Sequence, residues 1–176
     1  GPAGAVDLKL LSSWDKSNWP TYAVGDAFVK NVHQDGRGKV KIAISGPEVV
    51  PPFEQIQPVS AGVFDMLFSH GVYHAGSKGL ALAVDAIDLD PYRRREAGIF
   101  DFVDAYYQKH NKLKMVALPT QAFVGYHMFL RDAPAADGDI KGRKIRGTTT
   151  YHGIIKALGG TPVVLAPAQI YSSLEK

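Results

Sequence analysis

Arg146 is followed by Gly147-Thr148-Thr149-Thr150 and then Tyr151. A guanidinium is a rigid fork of N–H donors that matches the two oxygens of a carboxylate. A threonine run at the start of a helical pattern adds hydroxyls and backbone N–H groups. Together they suit an anion, with Thr148 and Tyr151 beside Arg146. The plainer alternative is an arginine paired with a surface acid. A second group, Ser69, His70 and Tyr73, lies in the segment Ser69-His70-Gly71-Val72-Tyr73-His74, after an apolar run. Trp14 stands at the comparable place after the first apolar run. His70 and His74 are four residues apart, a spacing that on a helix could hold zinc. Gly71-Val72 between them disfavours a helix, and no glutamate follows His70, so no metal site is expected. Asp85, Asp88 and Asp90 lack the spacing of a calcium loop. Ser69 with His70 or His127 is the raw material of a hydrolase. Nothing orders them into a triad, and the sequence has no Gly-x-Ser-x-Gly elbow and no Gly-rich phosphate loop. No catalytic residue and no cofactor are expected.

These residues need elements to hold them. Lys9–Ser12 reads as a strand whose Leu10-Leu11 pair implies burial on both faces. Asn18–His33 reads as a helix, with Ser17 or Asn18 as its cap, Pro20 early, and Val24, Phe28 and Val32 as an apolar stripe. Asp35-Gly36-Arg37-Gly38 ends it. Val40–Ser45 is a second strand, Phe53–Ala61 a short helix strained at Pro58, and Val63–Ser69 a third strand. Alternating strands and helices imply parallel pairing. In such sheets ligands sit beyond the carboxyl ends of the strands, which is where Trp14 and Ser69–Tyr73 fall. Gly79–Ile87 and Pro91–His110 read as helices, the second with Ile99, Phe102, Val103 and Tyr106 inward. Leu113–Leu118 and Val124–Leu130 read as extended. Arg131–Gly138 is a loop crossing between lobes. Lys144–Arg146 is a strand, Tyr151–Leu158 a helix closed by Gly159-Gly160, Thr161–Leu165 a strand, and Pro167–Lys176 the start of a helix.

The chain has 176 residues, 45% hydrophobic and 21% charged, with a formal net charge of +3. No apolar run is long enough to cross a bilayer. The charge permits an anionic ligand without requiring nucleic acid. The densest basic cluster, Arg93-Arg94-Arg95, reads as a solvated helix face. The absence of cysteine excludes disulfides, thiolate metal sites and cysteine nucleophiles.

Three later segments, in order, carry a resemblance. They are Asp139-Ile-Lys-Gly-Arg-Lys-Ile-Arg-Gly147, Ala157-Leu-Gly-Gly-Thr-Pro-Val163 and Gln169-Ile-Tyr-Ser-Ser-Leu-Glu175. They are similar to the "DLKGLKIR", "LGATPV" and "EVYSALQ" segments of the solute-binding proteins of tripartite ATP-independent periplasmic (TRAP) transporters, the dicarboxylate-binding-protein family. Val40–Gly46, then Phe53–Met66 with Gly62 to Asp65 as a "G-x-x-D" pattern, resembles the same family earlier in the chain.

The resemblance implies an α/β fold of two lobes, like the periplasmic binding proteins, with mostly parallel sheets and flanking helices. Residues 1–123 would form the first lobe. Residues 124–176 would form a hinge strand and the first part of a second lobe, with the remainder absent from this chain. It implies capture of a small organic acid in the cleft, its carboxylate on Arg146, for delivery to TRAP membrane subunits. It also implies a periplasmic, monomeric protein, its signal peptide removed, that is neither an enzyme nor a nucleic-acid binder. The ligand-contacting residues would be Arg146, Trp14, Ser69, His70, Tyr73, Tyr126, His127, Thr148 and Tyr151. Tyr126 and His127 fall where some relatives carry a second ligand-binding arginine. That departure, with Pro51-Pro52 in place of a polar pair, points to a monocarboxylate or an aromatic or keto acid. A ligand-binding sensory module is the alternative, and a hydrolase a more distant one.

Overall fold

The computed structural model describes residues 4–76, 79–83, 87, 90–119 and 127–175. Two parallel sheets are present among them. In the first, β1 (Val6–Ser12) lies between β2 (Val40–Ser45) and β3 (Met66–Phe68). β1 pairs in register from Val6↔Val40 to Leu11↔Ser45 on one side, and from Leu10↔Met66 to Ser12↔Phe68 on the other. Leu10 and Leu11 point to opposite faces, as successive strand residues must. Leu10 packs with Val29 and Ile42, against Phe28 and Val32 of α1 (Trp19–Gly36). Leu11 packs with Val59 and Phe64, and with Val50, Leu67 and Leu113, on the other face. Both faces of β1 are therefore covered.

Helix α1 enters through a 3-10 turn, Lys16–Asn18, capped by Asp15, whose Oδ1 accepts from the Ser17 amide at 2.8 Å. The capping lies one turn earlier than expected, and the Asn18 side chain makes no cap bond. Of the expected stripe, Phe28 and Val32 pack on the core, whereas Val24 is 47% exposed, and Gly25 and Val29 are buried beside them. Gly25 makes a close approach: a methyl there would stand 2.7 Å from the Phe68 ring of β3.

The segment after β2 winds as a 3-10 turn, Pro52–Glu54, and then α2 (Ile56–Ser60). Pro58 falls in the first turn of α2, where a missing N–H costs little. β3 is three residues long, shorter than expected, because only Leu10–Ser12 of β1 lies opposite it. α3 covers Leu80–Ala83 among the described residues. The expected single helix over 91–110 is two, α4 (Pro91–Glu96) and α5 (Ile99–Asn111), divided at Gly98 with φ 72°. The break rotates the inward face. Phe100, Val103, Asp104 and Asn111 are buried, whereas Phe102 is exposed. Arg94 of the basic cluster donates to the Ile87 carbonyl at 2.9 Å, and Arg95 lies 3.8 Å over the Phe100 ring.

Residues 113–118 do not pair as a strand. The amide of Met115 is satisfied instead by Asp104 Oδ1 at 2.7 Å, and Lys114 Nζ bonds Asp104 Oδ2 at 2.7 Å. The 127–130 segment carries no assigned strand, and residues 120–126, where the expected lobe boundary falls, lie outside the described residues.

The second sheet pairs β4 (Lys144–Arg146) with β5 (Thr161–Val163), in register Arg146↔Val163, joined through α6 (His152–Ala157). Its core is Ile140 and Ile155, 2% and 1% exposed. α7 covers Ile170–Leu174, after a 3-10 turn at Pro167–Gln169. No helix among the described residues is long and apolar enough to cross a membrane.

Candidate functional site

The strand order β2-β1-β3 makes the chain reverse direction across the sheet at β1. In open parallel sheets that reversal leaves a crevice beyond the carboxyl ends of the two strands flanking it. The loops after β1 and β3 meet there. Ser13 Oγ lies 2.7 Å from Ser69 Oγ, and the Trp14 ring sits 5.1 Å from Phe68 and 5.8 Å from Tyr73. Phe53 packs edge-on against Tyr73 at 5.2 Å. The result is an aromatic wall in which Trp14 and Tyr73 are buried.

The second sheet brings Arg146 to this wall. Arg146 ends β4, and its Nε and Nη2 both donate to the Leu165 carbonyl, at 3.1 and 2.9 Å. That uses the side edge of the guanidinium and leaves Nη1 and the outer N–H of Nη2 outside the pair of bonds. Arg146 also acts on Tyr73. Burial raises the Tyr73 phenol above its usual range, and the Arg146 charge opposes that rise, helped by hydrogen bonding to Trp14 and Arg146. The next residues of the same segment, Ala166, Pro167 and Ala168, face Trp14, Asp15, Asn18, Pro47 and Pro52 across a narrow crevice. The two sheets thus meet along a crevice, with Arg146 beside Tyr73 of the aromatic wall.

The expected site residues fall into three groups. Arg146, Trp14, Ser69 and Tyr73 are brought together as described. His70 and Thr148 shape the backbone. His70 Nδ1 accepts from the Val72 amide at 3.2 Å and caps the turn Gly71–His74, while Thr148 is buried and its carbonyl accepts from the Tyr151 amide at 2.9 Å. The threonine run enters a 3-10 turn, Thr149–Tyr151, ahead of a six-residue helix. Tyr151 is half-buried over Gly147, and His127 is exposed. Tyr126 lies outside the described residues. Among the described residues no three His, Cys, Asp or Glu side chains gather to hold a metal ion.

Sequence reasoning missed Gln55, Ser13 and Phe53. Gln55 is 1% exposed. Its Nε2 donates to the Ser12 and Val50 carbonyls at 2.9 Å each, and its Oε1 accepts from Ser13 Oγ at 2.5 Å. A polar Ser12-Ser13 pair closing an apolar strand was the available signal, since buried hydroxyls need partners.

The turn carrying Tyr73 is held from behind. His74 Nε2 lies 2.6 Å from the Tyr107 hydroxyl of α5. Burial, with His70 nearby, pulls His74 from 6.5 down to about 4, so it stays neutral at neutral pH. Unfolding restores the higher value, so protons favour the unfolded chain. The stability gained by keeping His74 neutral is complete above about pH 6.5 and is lost as the pH falls through about 4. The expected loss is up to about 3 kcal/mol. Melting temperatures followed down this range should fall, and His74→Gln should flatten the fall. A second constraint is Gly71, where an added methyl would overlap the Ala81 carbonyl. Gly71→Ala is expected to lower stability by about 1–3 kcal/mol in chemical denaturation.

No family model matches the chain. Solved structures do match. A TRAP transporter solute-binding protein from Bordetella bronchiseptica RB50, with copurified calcium and picolinate, superposes with a TM-score of 0.73 at 20% identity, over 98% of this chain and 53% of that one. A Bordetella pertussis extracytoplasmic solute receptor binding pyroglutamic acid gives 0.72 at 18% identity, over 97% and 57%. A TRAP periplasmic solute-binding protein from Pseudoalteromonas atlantica T6c, with bound sodium and pyruvate, gives 0.69 at 16% identity, over 97% and 54%. The chain spans a little over half the length of each, and over that span it has the fold of the TRAP periplasmic solute-binding proteins.

Proposed function

We propose that this chain captures a small organic acid in the cleft between its two sheets, with the acid's carboxylate on Arg146, and serves a TRAP membrane transporter from the periplasm. It is a carrier and not an enzyme. Residues up to 123 belong to one lobe, and residues 124–176 to the hinge strand and the first part of the other. The observation that carries this reading is the state of Arg146. Its side edge is anchored on the Leu165 carbonyl, so the guanidinium is held in place, and its terminal edge, beside the Tyr73 hydroxyl, offers donors that suit a planar, two-oxygen acceptor.

The surroundings support a particular kind of acid. Arg146 stands beside Tyr73, which packs against Trp14 and Phe53, with Pro52 lining the crevice. That surface suits one carboxylate joined to a compact planar or weakly polar body. Picolinate, pyroglutamate and pyruvate, the acids held by three of the structural relatives, are all of that kind. Ligand contacts to both sheets would favour the closed cleft, and closure would present the form that docks on the membrane subunits.

A thermal-shift screen of these three acids and other monocarboxylates tests the proposal. Binding to the native state alone raises the apparent melting temperature. At least one monocarboxylate should raise it by several degrees. A screen in which neutral solutes stabilise and acids do not would overturn the assignment.

A further inference from the structure

The cleft is lined by loops from three different strand ends. The loop after β1 supplies Trp14, the loop after β2 supplies Pro52 and Phe53, and the loop after β3 supplies Tyr73. The Ser13 amide donates to the Phe68 carbonyl at 2.9 Å, which holds the first of these loops to the end of β3, but the ladder gives the loop after β2 no such tie. One side chain joins the first two directly and reaches the third through Ser13. We propose that Gln55 is the positioning residue of the cleft: its buried amide ties the three loops into one rigid wall without itself touching the ligand. This rests on the reading of the cleft as an acid-binding site.

The bonding is complete and has one polarity. Gln55 Nε2 carries two hydrogens and spends them on the Ser12 carbonyl, at the end of β1, and on the Val50 carbonyl, in the loop after β2. Oε1 can only accept, so the proton between it and Ser13 Oγ, 2.5 Å away, belongs to Ser13. A hydroxyl has one proton to give. The 2.7 Å contact between Ser13 and Ser69 must then be filled by the Ser69 hydroxyl, which brings in the loop after β3. Ser12 adds a further lock, because its hydroxyl donates to the Trp14 carbonyl at 2.7 Å and accepts from the Trp14 amide at 3.2 Å. Ser12, Ser13 and Gln55 are each 1% exposed, so water cannot replace these bonds at little cost.

The amide is required by this arrangement. A glutamate would set a carboxylate against two carbonyl oxygens, and a methionine would fill the space with no donor or acceptor. Both leave buried carbonyls unpaired. The ends of β1 and β3 keep the bond from the Ser13 amide to the Phe68 carbonyl, but the loop after β2 would shift against them, and Trp14 and Tyr73 would lose the support that fixes their spacing to Arg146. A residue that only stabilises the fold would act differently. Its loss would lower the melting temperature while leaving the affinity of the folded molecules unchanged.

The test is calorimetry on the full chain and on Gln55→Met and Gln55→Glu, titrated with picolinate, pyroglutamate and pyruvate well below each protein's melting temperature. Both variants are expected to bind roughly tenfold or more weakly than the unmodified protein while fully folded by circular dichroism. Ser69→Ala, which cuts only the tie to the third loop, should show a smaller loss in the same direction. Unchanged affinity in folded Gln55→Met overturns the proposal. A second readout needs no ligand. In a Trp19→Phe background, Trp14 is the sole remaining tryptophan, and Gln55→Met should shift its emission to the red and expose it to acrylamide. If no acid binds the unmodified protein, the acid-binding reading fails, and the Trp14 emission alone decides whether Gln55 holds the wall. Unchanged emission and quenching in the folded variant would then overturn the positioning role.

Discussion

Arg146→Ala is expected to weaken organic-acid binding by about 2–5 kcal/mol, roughly thirtyfold to a few thousandfold. The size follows from where Arg146 stands. A carboxylate leaving water for this cleft meets the Arg146 guanidinium beside aromatic and proline surfaces, and the charged residue that lines the crevice, Asp15, is itself an acid and offers no compensating charge. Removing the cation leaves a buried anion unpaired, a far larger penalty than losing a surface ion pair. Arg146→Lys should recover only part of the loss. An ammonium keeps the charge but cannot hold the Leu165 carbonyl with one edge and a carboxylate with another. Calorimetric titration of the two variants measures both effects. Equal affinity in Arg146→Ala would remove Arg146 from the site.

Trp14→Ala should have the largest effect on the fold, a loss of about 3–5 kcal/mol. The indole is buried against Phe68 and Tyr73, at the point where the ends of β1 and β3 converge, so its removal leaves a cavity that rigid strand ends cannot close. Trp14→Phe keeps a ring against Tyr73 and should lose less than half as much. Urea unfolding followed by circular dichroism distinguishes the two. A midpoint unchanged in Trp14→Ala would mean that the indole does not pack as described. The alanine variant should also lose acid binding when folded, because Tyr73 would lose the surface that holds it near Arg146.

Much of the fold was legible because it depends on local pattern. β2 over Val40–Ser45 and β4 over Lys144–Arg146 are short apolar or alternating runs bounded by glycine, and both have the expected bounds. The doublet Leu10-Leu11 announced a strand covered on both faces. What was not legible depends on distant partners. Gly98 divides one apparent helix because its backbone is left-handed, which an isolated glycine does not reveal. Residues 113–118 look like a strand, but Asp104 takes the Met115 amide from eleven residues away. In the site, Arg146, Trp14 and Tyr73 stood out by residue type and by position after strands. The Leu165 carbonyl that anchors Arg146 and the Gln55 amide that bonds Ser13 did not. Those bonds join residues 19 and 42 positions apart, through backbone carbonyls that every residue has and a glutamine with no local pattern around it.

The central claim is that this cleft holds a carboxylate, and a paired titration tests it most directly. The tightest acid from the screen and its neutral carboxamide are titrated into the same protein by calorimetry. The amide keeps the shape and the planar body but removes the charge and one of the two acceptor oxygens. The account predicts measurable binding of the acid and a loss of at least about two orders of magnitude for the amide. Equal binding of acid and amide would show that shape alone is recognised, and the assignment of Arg146 as the carboxylate anchor would be wrong.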